Sequence, residues 1–180
     1  MSETDFENAV NSFYEGLYRF AYSLTGNSND ASELTQETFA RFLAKHGQIR
    51  DSGKIKSWLS TTLYRTFLGW KRRETRHPHI ELSLVEDELP ALTPAALDQL
   101  ESEFVNEALL QVEDRYRVPV ALYYFEQLSY LEISEVLEIP IGTVMSRLSR
   151  GKELLRKSLT MKTVNSENNT AALQPRRFRN

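Results

Sequence analysis

Through roughly the first 76 residues the apolar positions recur every three or four places, the period of an amphipathic helix. Phe13, Leu17, Phe20, Ala21 and Leu24 form a first stripe. Thr25-Gly26-Asn27-Ser28-Asn29-Asp30 then predicts a stop and a restart, with Gly26 suited to a left-handed cap and N-cap candidates directly after it. Ala31, Leu34, Thr38, Phe39, Phe42 and Leu43 make a second stripe that ends at His46-Gly47. After a polar loop from Gln48 to Lys56, a third stripe runs through Trp58, Leu59, Leu63, Phe67 and Trp70. No alternating, period-2 stretch competes with these, so helices rather than strands are predicted.

From Arg76 to Pro94 the character changes. Pro78, Pro90 and Pro94 punctuate a run of acids with no sustained helical period, which predicts a tether between two domains. Helical spacing resumes at Leu97 and Leu100 and continues through Phe104, Val105, Ala108, Leu109 and Val112. Further helices are predicted within Val118–Phe125, Tyr130–Leu137 and Thr143–Leu159. The tail from Met161 is rich in Asn, Thr and Ser, ends in Pro175-Arg176-Arg177-Phe178-Arg179-Asn180, and is expected to be disordered. The expected fold is therefore all-α. Two small helical domains (1–76 and 97–160) are joined by a flexible acidic linker (77–96) and followed by a basic tail (161–180).

Composition narrows the function. With 41% hydrophobic residues the chain can bury one or more cores. The absence of cysteine removes disulfides, thiolate zinc sites, iron–sulfur clusters and cysteine nucleophiles, and fits a reducing compartment. The longest apolar run, Val118–Phe125, contains Pro119 and is too short to span a bilayer. The acidic start, Met1-Ser2-Glu3-Thr4-Asp5, is unlike a signal peptide. A soluble, cytoplasmic protein with no membrane insertion is expected.

The net charge of −3 hides a segregated pattern. Between Ile80 and Asp114 there are many acids and no Lys or Arg. On either side stand basic clusters: Lys71-Arg72-Arg73 with Arg76, and Arg147, Arg150, Lys152, Arg156 and Lys157. Cationic patches of this kind suit a phosphate backbone.

The second half carries the most informative segment. A short helix over Tyr130–Leu137 would bury Ile133, Val136 and Leu137, and Glu138-Ile139-Pro140-Ile141 would turn the chain. A longer helix would then pack Val144, Leu148, Leu154 and Leu155 while exposing Thr143, Met145, Ser146, Arg147, Ser149 and Arg150. Such a helix-turn-helix places its second helix in a major groove, where Arg reads guanine and Ser or Thr meets phosphates. A helical hairpin with a solvated basic face has the same periodicity. The apolar-Pro turn and the polar, basic start of the second helix favour DNA.

Leu128-Ser129-Tyr130 through Arg156 resembles the C-terminal domain of extracytoplasmic-function (ECF) sigma factors, a group of the sigma-70 family. Pro140, Gly142, Thr143, Val144, Ser146, Arg147 and Leu148 match that family's Pro-x-Gly-Thr-Val-x-Ser-Arg-Leu in register. Arg115-Tyr116-Arg117 and Ala121-Leu122-Tyr123-Tyr124-Phe125 resemble the helix leading into the motif. Asp30-Ala31-Ser32-Glu33-Leu34-Thr35-Gln36-Glu37-Thr38-Phe39 is similar to the family's core-binding helix. Trp58-Leu59 with Arg72-Arg73 resembles its promoter-melting segment. The likeness covers about residues 8–76 and 97–158.

The resemblance implies a factor that binds core RNA polymerase, through the β′ clamp helices and the β flap, and brings it to promoter DNA. Asp30, Glu33, Leu34, Gln36, Glu37 and Phe39 would dock on polymerase. Arg50, Asp51, Ser52, Lys56, Ser57, Trp58 and Arg65 would surround the opened −10 element, with Lys71, Arg72, Arg73 and Arg76 on its phosphates. Arg65 stands where the family often has Asn, and Gly69 where it often has an acidic or amide residue. Trp58, Leu63 and Phe67 also sit at core spacing. Thr143, Met145, Ser146, Arg147, Ser149, Arg150 and Lys152 would meet the −35 element, Met145 replacing a residue that is often basic. An anti-sigma protein is a further partner the family allows.

No cofactor or metal is expected. His77-Pro78-His79 with Glu81 reads as a linker entry, since further ligands are lacking nearby. The abundant carboxylates have no evident base or nucleophile partner, so an enzyme is not expected. The competing readings are a stand-alone helix-turn-helix regulator with a partner-binding first half, and an enzyme of nucleic-acid metabolism with a helix-turn-helix appendage.

Overall fold

The structure, a computed structural model, describes residues 3–45, 51–76 and 105–172. They are helical throughout apart from short connections, and no strand occurs among them. The first domain is built from α1 (Glu3–Thr25), α2 (Ser28–Lys45) and α3 (Ile55–Arg76), the last entered through a 3-10 turn at Ser52–Lys54. The second contains α4, described over 105–110, then α5 (Asp114–Tyr124), α6 (Tyr130–Leu137) and α7 (Ile141–Ala172).

The α1–α2 break follows from its residues. Gly26 takes φ +70°, where a side chain would be strained, and its N–H closes α1 onto the Tyr22 carbonyl at 2.8 Å. Asn27 then caps α2: its Oδ1 accepts from the backbone N–H groups of Asn29 and Asp30. The predicted stripes meet in one core, with Leu17, Phe20, Leu34, Phe42, Leu59 and Leu63 fully buried, whereas Leu43 at the end of the second stripe is exposed. Phe6 stacks on Phe42 and meets Phe39 edge-on, joining α1 to α2. The buried Thr35 and Thr38 hydroxyls donate to carbonyls one turn back, so neither leaves an unpaired group in the core.

In the second domain α5 continues through Pro119, although the missing N–H removes one helical bond, because Val118, Val120, Ala121 and Leu122 around it are all buried. Ser129 and Glu132 form a reciprocal capping box at the start of α6. Glu138 ends that helix in the left-handed region at φ 54°. Val144, Leu148 and Leu155 bury one side of α7 against the rest of the domain. Gly151 allows α7 to lie against α5 so closely that a Cβ there would be 2.9 Å from the Tyr116 carbonyl oxygen.

One boundary differs from the expectation, and one contact was not anticipated. α7 runs to Ala172, past the boundary expected at 160. A helix already nucleated by packing extends at little penalty per residue, so weak formers such as Asn and Ser do not stop it. Second, the two domains pack together, α1 against α5 and α3 against α6. The linker expected over 77–96, with His77, His79 and Glu81, lies outside the described residues, as does 173–180.

Candidate nucleic-acid interface

On α2 the expected docking residues divide. Leu34 and Phe39 point inward, at 0% and 6% exposure, and are core residues rather than contacts, because the 3.6-residue period turns them toward α1 and α3. Asp30, Glu33, Gln36 and Glu37 stay on the outer side. Glu37 is the most constrained of these. It accepts a hydrogen bond from the Trp70 indole at 3.2 Å and another from Arg41 at 2.6 Å, tying α2 to the far end of α3.

The entry to α3 is held by local bonds. Asp51 accepts from the Gly53 N–H, and the Ser57 hydroxyl donates to the Lys54 carbonyl. Trp58 is half-buried, with its ring tilted against Phe42. Arg50 lies outside the described residues, as do the side chains of Ser52 and Arg76. Arg65, Lys71, Arg72 and Arg73 are exposed along the rest of the helix.

Two of these cations are engaged by the second domain. Arg65 donates to Glu138 at 2.5 Å and Lys71 to Asp114 at 2.8 Å. Lys71 also sits over the Phe67 ring. Asp114 accepts from Arg117 as well. Partial burial alone would raise the Asp114 carboxyl, but the hydrogen bond from Lys71 and the charges of Arg117 and Lys71 bring it below its ordinary value.

On α7, Met145, Ser146, Ser149 and Arg150 share the exposed side, opposite Val144, Leu148, Gly151 and Leu155. Arg150 pairs with Glu153 at 2.7 Å, and Glu153 also holds Lys157. These two cations hold the Glu153 carboxyl below its usual value, Lys157 first. Thr143 and Arg147 are half-buried rather than fully presented. The charge of Arg147 reaches Tyr64 on α3, whose phenol burial raises above its ordinary value. Lys152 lies on the other flank, its ammonium 4.1 Å from the centre of the Tyr123 ring.

The family model for sigma-70 region 2 matches residues 9–77, and that for sigma-70 region 4 matches residues 105–155. The ECF RNA polymerase sigma factor SigW of Bacillus subtilis is 32% identical over 167 residues, covering 86% of this chain and 88% of that protein. The RNA polymerase sigma factor YlaC of the same organism is 29% identical, covering 86% and 91%. The chain belongs to the ECF sigma factors of the sigma-70 family. Among solved structures it is similar to the sigma factor RpoE of Bartonella quintana, crystallised with the anti-sigma factor NepR. The TM-score is 0.69 at 23% identity, covering 87% of this chain and 97% of that one. It also resembles CnrH, solved with the cytosolic domain of CnrY, with a TM-score of 0.64 at 18% identity over 89% and 90%.

As a sigma factor it binds core RNA polymerase and promoter DNA and directs transcription initiation. The region 2 match spans α1–α3, and the region 4 match spans α4 to the middle of α7. No helix among the described residues is long and apolar enough to cross a membrane.

The sequence reading missed two features. The Ser129-x-x-Glu132 box was legible as a capping signature. Glu126 was not: it is 2% exposed and accepts from Ser60, 66 residues away, and no local pattern announces such a contact.

Proposed function

We propose that the three surfaces divide the work of initiation. The outer edge of α2, with Asp30, Glu33, Gln36 and Glu37, docks on the β′ clamp helices of core polymerase. Residues 50–76 open the −10 element, a base being held beside Trp58 while Lys71, Arg72, Arg73 and Arg76 meet phosphates. The start of α7 enters the major groove of the −35 element, with the second domain resting on the β flap.

The observation that carries this reading is the unpacked side of α7, where Met145, Ser146, Ser149 and Arg150 lie together on a helix fixed from behind by Val144 and Leu148. A reading helix needs this combination of a rigid back and a polar front. Polymerase performs the chemistry, and this chain supplies recognition and melting. An anti-sigma protein is a further partner, by analogy with the two similar folds solved in such complexes.

Promoter binding by the free chain and by its mixture with core polymerase tests the division. Specific binding should require the mixture. Nanomolar, sequence-specific binding by the free chain would support an ordinary helix-turn-helix regulator instead.

A further inference from the structure

A cleft of about 280 Å³ opens between α1, the start of α3 and the α5–α6 connection. Of its lining, only Lys56 belongs to the segment assigned to the −10 element. The reading of initiation given above uses none of the rest.

Glu126 closes the cleft from the α5–α6 connection and is 2% exposed. Its Oε2 accepts from the Ser60 hydroxyl at 3.3 Å. Its Oε1 has no hydrogen-bond partner among the described residues. That oxygen lies over Gly16 of α1, which also lines the cleft, in space that a Cβ 2.9 Å away would contest. Burying a carboxylate oxygen without a donor is unfavourable, and folded proteins leave few such groups unmet. A donor from outside the chain would satisfy it.

The opposite charge is equally unmatched. Lys56 is half-buried at the start of α3, and its charge reaches Glu126. It makes no ion pair among the described residues. Glu126 and Lys56 thus face one cleft without touching. The other charged pair on its wall, Glu15 and Arg19 of α1, is already closed on itself. A plain anion would satisfy Lys56 but meet Glu126, and a plain cation would meet Lys56 in the same way. A molecule carrying both signs suits both groups, since charge-assisted hydrogen bonds form at each end. The volume is just below the roughly 300 Å³ at which small-molecule sites begin, so the occupant has few heavy atoms.

We propose that this cleft binds a small zwitterion of the amino-acid class, its ammonium donating to Glu126 Oε1 and its carboxylate meeting Lys56. The assignment goes beyond the sigma-factor reading and does not depend on which DNA element α3 serves.

Protonation supplies a signature. Burial raises the Glu126 carboxyl to about 7, opposed by the charge of Lys56 and the hydrogen bond from Ser60. The other titratable groups around it are Glu15 and Arg19 on α1 and the Tyr124 phenol at the end of α5. An ammonium group at Oε1 favours the ionised carboxylate. Binding at pH 6.5 should therefore release a proton, and binding at pH 8.5 should not.

The test titrates the full-length chain with glycine, β-alanine and γ-aminobutyrate, which hold their two charges progressively further apart. Ethylamine and propionate, with one charge each, serve as partial probes. At least one zwitterion should shift the Gly16 and Gln127 amide resonances saturably, and bind about tenfold more tightly than either partial probe. Glu126→Gln and Lys56→Met should each weaken it about tenfold with helix content unchanged by circular dichroism. Calorimetry in buffers of different ionisation enthalpy should show the proton release at pH 6.5, and Glu126→Gln should abolish it. Where Glu126→Gln alters helix content, the proton release and Lys56→Met decide. Three zwitterions without a saturable shift would overturn the proposal. So would a zwitterion bound equally well by both variants, or propionate or ethylamine bound as tightly as the best zwitterion.

Discussion

The Trp70 indole donates to the Glu37 carboxylate across 33 residues of sequence, fastening the end of α3 to the helix assigned to polymerase docking. Glu37 is thus a structural anchor as well as an acidic surface residue. Glu37→Lys should lower the stability of the first domain by about 1–3 kcal/mol, the scale of a lost charged hydrogen bond. Thermal unfolding followed by circular dichroism reads this.

Glu33 is exposed with no such anchoring contact shown, and is the cleaner docking probe. Glu33→Lys should leave stability within about 0.5 kcal/mol while weakening association with core polymerase, since a cation then faces a basic partner. Co-elution with core enzyme tests it. Unchanged co-elution would remove α2 from the polymerase contact.

Glu126 makes domain packing sensitive to pH. Burial raises its carboxyl to about 7, against the smaller lowering effects of Lys56 and the Ser60 hydrogen bond. Ser60 and Lys56 face it from α3; Gly16 backs it from α1, and Glu15 and Arg19 line the adjoining cleft. The packed form therefore binds a proton that an opened, hydrated Glu126 gives up near its ordinary 4.5. Closure, as far as this group decides it, is strongest at and below the ordinary value and weakens as pH rises through 7, by up to about 3 kcal/mol. Spin labels at Ala40→Cys and Glu135→Cys, exposed positions in the two domains, should show the distance between the domains lengthening as pH rises from 5.5 to 8.

The capping box gives the opposite sign. Hydrogen bonds from the Ser129 hydroxyl and backbone hold the Glu132 carboxyl below its ordinary value. Its contribution is present at neutral pH and is lost as pH falls through that lowered value. Ser129→Ala should destabilise the second domain by about 0.5–2 kcal/mol at pH 7. The difference from the parent chain should shrink in acid, as urea titrations at the two pH values would show.

Two glycines should respond oppositely to alanine. At Gly151 a Cβ would stand 2.6 Å from Val120 Cγ2 and 2.9 Å from a backbone oxygen, so Gly151→Ala should destabilise by about 1–2 kcal/mol despite alanine's better helix propensity. At Gly69 nothing lies within 4 Å, and Gly69→Ala should stabilise by about 0.5–1 kcal/mol. Thermal unfolding of the pair compares close helix packing with propensity directly.

Much of this architecture was legible in advance because it is written in local periodicity. Leu17, Phe20, Leu59 and Leu63 sit at helical spacing and are buried as that spacing requires. Gly26 and Asn27 announced the first turn, and the Pro140–Leu148 run announced the helix-turn-helix. At Leu34 and Phe39 periodicity was the better guide: both lie on the apolar stripe and are buried, although the family resemblance set them among the docking residues. Contacts between the domains were invisible. Asp114, Glu126 and Glu138 look like ordinary acids in sequence, and only the fold brings them to Lys71, Ser60 and Arg65.

The proposed entry of α7 into the −35 groove predicts that base reading separates from phosphate holding. Arg150→Ala should reduce binding to the preferred −35 sequence by about 1–3 kcal/mol and relax preference at one position. Lys152→Ala, beside the Tyr123 ring, should weaken all sequences alike and lower salt sensitivity. A panel of single-base −35 variants bound by the core-associated chain at two salt concentrations distinguishes them. Uniform loss for Arg150→Ala would make it a phosphate contact and leave Met145 and Ser146 as readers.

The most direct measurement is transcription by core polymerase plus this chain from a promoter library randomised at both elements. Enrichment of two short motifs at a fixed separation is expected, with the upstream motif altered by Ser146→Ala or Arg150→Ala and the downstream motif by changes at Trp58 or Arg65. A library that yields one motif only, or initiation no greater than with core polymerase alone, would contradict the assignment of −10 and −35 recognition to the two domains.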